Sequence, residues 1–102
     1  MGENSQGSIN QQNADELANL LMAGMIEEFM ARFRKGVTDA GDDAPLLLAD
    51  MVNESIKLGH PNTDVKLVVS QKNNNDKRLI MITGGSRLFG ESWTITRQMF
   101  SV

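Results

Sequence analysis

The chain has 102 residues, with 10 Lys plus Arg against 13 Asp plus Glu and a formal net charge of -3, which is one domain's worth of mildly acidic sequence. Its 40% hydrophobic and 23% charged residues exclude the compositions of disordered and membrane proteins. Zero Cys excludes disulfides, thiolate nucleophiles, iron–sulfur clusters and Cys-based zinc sites, so no such cofactor or metal is expected.

No apolar run approaches the roughly 18 to 20 residues that span a bilayer. The start, Met1-Gly2-Glu3-Asn4-Ser5-Gln6, lacks the basic head and apolar stretch of a signal peptide. A cytoplasmic location without membrane contact is the expectation.

Residues 1–12 are rich in Gln, Gly, Ser and Asn and are expected to be a disordered tail, ahead of a single domain over 13–102. Asn13 with Glu16 three residues later has the pattern of a capping box, and a helix is predicted over 14–35. Asp15 and Glu16 at its start and Arg32, Arg34 and Lys35 at its end complement the helix dipole. Gly36 is the expected stop. A second helix starts at Asp43 as cap, with Pro45 in the first turn, and runs to about Leu58 before Gly59 and Pro61 end it. Leu48, Met51, Val52, Ser55 and Ile56 form its apolar stripe.

The period then becomes two, and three strands are predicted over Asp64 to Gln71, Lys77 to Thr83 and Glu91 to Phe100. Lys72 to Asp76 suits a hairpin connection, and Gly84 to Gly90 a longer loop. The expected fold is α+β: two N-terminal helices on one face of a three-stranded antiparallel meander, in the order ααβββ.

Helix 1 has a wider apolar face than a monomeric surface helix needs. Leu17, Leu21, Met25, Phe29 and Phe33 make one ridge, and Ala18, Met22, Ile26 and Met30 a second beside it. Gly24 in mid-helix costs roughly 1 kcal/mol against Ala, which suggests a close backbone approach there. A protein interface is therefore assigned to Leu21, Met22, Met25, Ile26, Phe29, Met30 and Phe33, with a homo-oligomer or a protein partner as occupant. Methionine suits such a contact because it repacks readily. On this reading, Glu at both Met25 and Phe29 gives a folded monomer.

Charge is divided along the chain: residues 62–102 carry six basic groups against three acidic ones, while the helical part is acidic. Lys66, Lys77, Arg78, Arg87 and Arg97, with Lys72 beside them, form a candidate anion or nucleic-acid contact, with Trp93, Phe89 or Phe100 available to stack bases. The competing explanation is that the basic sheet complements the acidic helices and that edge lysines discourage aggregation. An acidic whole chain favours the latter. Arg97 shares strand parity with Trp93, Ile95 and Met99 and is expected to face the helices, near Asp50 or Glu54; outward placement beside Lys66 and Lys77 would favour nucleic acid.

The remaining motifs carry little chemistry. Gly84-Gly85-Ser86-Arg87 can form an anion nest, but it lacks the phosphate-loop spacing. Asp39, Asp42 and Asp43 do not match a calcium loop. His60, Ser86 and Ser92 have no assignable partners for catalysis. The sequence therefore reads as a small non-catalytic interaction module, an adaptor, inhibitor or assembly component, self-associating through helix 1. The alternative is a nucleic-acid-binding regulator using the basic sheet and the Gly84 to Gly90 loop.

Overall fold

Glycine 24 reorganises the predicted first helix. In a computed structural model that describes residues 9–38, 41–71, 78–84 and, for their backbone, 97–101, the stretch expected as one helix is two. Helix α1 spans Gln11–Met22 and helix α2 spans Ile26–Val37. Gly24 has φ 77°, its N–H donates to Leu21 O at 3.0 Å and the N–H of Met25 donates to Leu20 O at 2.9 Å. This is the Schellman ending, in which a left-handed glycine closes the last helical carbonyls. Gly24 is thus a helix stop.

The start of α1 also differs. Asn10 is its cap, and its side-chain oxygen accepts from the Asn13 N–H at 2.9 Å. The helix therefore begins one turn before the expected Asn13 cap and takes in Gln11 and Gln12. Helix α2 has Glu27 and Glu28 in its first turn and Arg34 and Lys35 in its last, as the dipole favours. It runs through Gly36, and Thr38 ends it by donating its hydroxyl to Arg34 O at 2.8 Å.

Helix α3 spans Ala44–Gly59, with Pro45 in the first turn, where its missing N–H is harmless. Asp43 stands at the cap position but makes no side-chain capping bond, so proline and burial set this start.

The helices are followed by an antiparallel pair, β1 (Lys66–Val69) and β2 (Leu79–Thr83), in the register Lys66 to Thr83 through Val69 to Ile80. The backbone of β3 (Arg97–Ser101) lies antiparallel along the other side of β2, with Thr83 opposite Arg97 and Met81 opposite Met99. The strands are shorter than their sequence patterns, and three helices precede them where two were expected. The connector 72–76 and the loop 85–90 lie outside the described residues.

Breaking helix 1 resolves its over-wide apolar face. A single straight helix can turn only one stripe inward, whereas two short helices meeting at a corner each turn in their own. Leu17 and Leu21 of α1, Phe29 and Phe33 of α2, and Leu48, Val52 and Ile56 of α3 join Leu67, Ile80 and Ile82 of the sheet in one core. The Phe29 and Phe33 rings pack tilted, with centroids 5.6 Å apart.

Polar ties fix the layers. Asn53 of α3 donates to Leu67 O at 2.6 Å and accepts from the Leu67 N–H at 2.9 Å, so a side-chain amide occupies the edge of β1 as a neighbouring strand would. Arg32 of α2 reaches Glu16 of α1 at 3.2 Å; both are half exposed, and such a pair contributes about 1 kcal/mol at most.

Candidate interaction surface

The seven residues assigned to an interface divide sharply. Leu21, Phe29 and Phe33 are 0% exposed and belong to the intramolecular core, because the turn at Gly24 folds both helices over them. That part of the expected interface is corrected. Met22, Ile26 and Met30 are half-buried and packed against the core, and Met25, in the turn between the helices, is 46% exposed.

A further residue joins them. Leu58, in the last turn of α3, is 79% exposed, the most open of the large apolar side chains among the described residues. It lines a groove of about 480 Å³ between α1 and α3 together with Ala18, Asn19, Met22, Gly59 and His60. Sequence pattern passed over Leu58 because it falls outside the apolar stripe of its helix. That position off the stripe was itself the available signal: a large apolar residue on a face that the fold does not bury.

One wall of the groove holds a small polar cluster. Ser55 donates to Asp15 Oδ1 at 2.5 Å, and the Gln11 amide donates to the same oxygen at 2.9 Å. These bonds, Ser55 first and Gln11 second, favour the ionised form and hold the Asp15 carboxyl below its ordinary 3.8. A depressed folded pKa contributes stability above the unfolded value that is lost as pH falls through the folded value. The cluster therefore ties α1 to α3 at neutral pH and loosens only in acid. Ser55→Ala is expected to move Asp15 upward toward 3.8, read from its carboxyl carbon in an NMR titration; an unmoved midpoint would show that Ser55 does not set it. His60 lines the same groove as the C-cap of α3.

The basic candidates are not brought together as one described patch. Lys66 is exposed on β1. Arg78 is only 7% exposed, in the alternating row of buried Ile80 and Ile82, and its Nη1 has no hydrogen-bond partner among the described residues. It is thus an interior residue and not the surface contact expected of it. Lys77 and Arg87 lie outside the described residues, as do Trp93 and Phe89.

For Arg97 the backbone register speaks. It stands opposite Thr83, which stands opposite Lys66, so Arg97 takes the register row of Lys66 and not that of Ile80 and Ile82. Its side chain, expected to face the helices near Asp50 or Glu54, lies outside what is described. Of the candidate anion loop, Gly84 is buried.

Among the described residues, no three His, Asp or Glu side chains stand close enough to hold a metal ion, and no helix is long and apolar enough to cross a membrane. Asp42 and Asp43 are exposed. No family model, no curated protein and no solved structure matches the chain.

Proposed function

We propose that the protein is a small non-catalytic interaction module, an adaptor, inhibitor or assembly component in the cytoplasm, that self-associates through the outer side of the α1–α2 corner. The observation that carries this reading is the exposure of Leu58, which lines a groove with Met22, and of Met25, in the turn that follows α1. A second copy is the occupant that the chemistry favours. In a twofold contact the same patch meets itself, so charges near the axis oppose their own kind. The apolar side chains of the groove, Ala18, Met22 and Leu58, carry no charge, and Asp15 of the same groove is already bonded to Ser55 and Gln11.

Sedimentation velocity of the wild type and of the pair Met25→Lys with Leu58→Lys tests it. Both positions are solvent-exposed, so the variant keeps its fold. The wild type is expected to sediment as a dimer or larger assembly and the variant as a monomer with an unchanged circular dichroism spectrum. Equal sedimentation of the two overturns the proposal.

A second reading, nucleic-acid binding by a three-stranded meander, is favoured by one observation, the shared register row of Lys66, Thr83 and Arg97. It requires binding that weakens steeply as salt rises, through counterion release.

A further inference from the structure

The corner at Gly24 joins two helices whose sequence suits one. Leu17, Leu21, Met25, Phe29 and Phe33 keep i+4 spacing straight through the break, and no proline interrupts residues 11–37. The joint is three residues long, Ala23 to Met25, and Ala23 is already in the right-handed helical region at φ -85° and ψ -2°. Gly24, at φ 77°, and Met25, at φ -90° and ψ 68°, lie outside that region. Rotation about these two residues makes α1 and α2 continuous.

The start of α2 supplies a driving force. Met25 stands at the cap position and makes no side-chain capping bond, so the N–H groups of Ile26, Glu27 and Glu28 open the helix without a helical acceptor. In a continuous helix they donate to Met22, Ala23 and Gly24. The two bonds that close the bent joint, from Gly24 N–H to Leu21 O and from Met25 N–H to Leu20 O, are exchanged for helical ones and not lost. The other ties of α1 lie away from the joint. Leu17 and Leu21 enter the core, Gln11 and Asp15 bond Ser55 of α3, and Glu16 pairs with Arg32 of α2. A second copy of α1 can make every one of them.

We propose that Gly24 is an exchange hinge. In a second form of the protein α1 and α2 make one helix, and α1 leaves its own α3 for the α3 of a second copy, whose α1 makes the reciprocal move. The two halves of the straight ridge then serve two cores: Leu17 and Leu21 enter that of the second copy, and Phe29 and Phe33 stay in their own. Exchange of an identical element is a low-cost route to a dimer, because the contacts of the single chain are reused and only those at the hinge are new. The exchange goes beyond contact through the outer side of the corner, in which each α1 stays on its own α3.

The chain has no Cys, so an engineered pair reports which α3 each α1 occupies. Asp15→Cys with Ser55→Cys replaces two side chains that touch between α1 and α3. The full chain is annealed at high concentration, oxidised and run on a denaturing gel. The bent form gives a disulfide within one chain, and exchange gives a disulfide-linked dimer. Association through the outer corner also leaves the bond within one chain, so this readout stands or falls apart from that contact. Gly24→Ala strains the left-handed joint and favours a continuous helix, and is expected to raise the linked fraction roughly fivefold or more. Ile26→Pro, tolerated as the first residue of α2 but not inside a continuous helix, is expected to abolish it. Amide hydrogen exchange gives a second readout that needs no disulfide: the Ile26, Glu27 and Glu28 amides are expected to become protected in Gly24→Ala. A linked dimer absent from Gly24→Ala or undiminished by Ile26→Pro overturns the proposal, as do unprotected amides at these three positions in Gly24→Ala.

Discussion

Phe29→Glu is expected to unfold the protein, while Met25→Glu leaves it folded. The two residues are one helical turn apart and stand on the same ridge in the sequence, yet they differ completely in environment. Phe29 is 0% exposed and packs its ring on Phe33 within the core, whereas Met25 is 46% exposed in the turn after Gly24. Truncating a buried Phe to Ala alone costs about 3 to 5 kcal/mol. Glu adds the cost of burying an unpaired carboxylate, and domains of this size have only about 5 to 15 kcal/mol of stability in total. At Met25 the new carboxylate stays in water, and surface changes of this kind lie within about 0.5 kcal/mol. Urea denaturation followed by circular dichroism separates the two. A folded Phe29→Glu protein would mean that the ridge is external after all, as a single straight helix requires.

The second large effect is expected at Asn53. Its amide makes both bonds to the Leu67 backbone, at 2.6 and 2.9 Å, on the side of β1 turned away from β2. Asn53→Ala leaves that N–H and C=O without their partner and is expected to cost about 2 to 3 kcal/mol, the scale for removing one partner from part-buried hydrogen bonds. It also opens a strand edge, and open edges recruit other strands. Lowered urea stability together with concentration-dependent light scattering is the predicted signature. Stability within about 0.5 kcal/mol of the wild type, the range of an ordinary surface change, would show that water replaces the amide fully.

Sequence pattern reached the class of the fold because α+β order follows from a change of period after Pro61, and alternating burial of Val65, Leu67 and Val69 agrees with it. Gly24 was the ambiguous residue. Its propensity cost was visible, but a helical glycine and a left-handed one have the same one-letter appearance. The continuous i+4 ridge from Leu17 to Phe33 argued for an unbroken helix, and tertiary packing of two stripes against one core decided otherwise. The same ambiguity placed Leu21, Phe29 and Phe33 on an interface.

The register row of Arg97 was not legible from parity counted along one strand, because pairing with Thr83 sets it. Asn53 could not be singled out, since an edge-capping amide has no local pattern; its partner lies fourteen residues away. Leu58 and the Arg32 to Glu16 tie likewise depend on which helices become neighbours.

The native mass of the wild-type protein, recorded without denaturation at two ionic strengths, tests the central claim most directly. Self-association through an uncharged apolar surface predicts an integer multiple of the chain mass, at least two, free of nucleic acid and unchanged as salt rises. The chain mass alone at every concentration would contradict it, as would a species carrying nucleic acid that dissociates with salt.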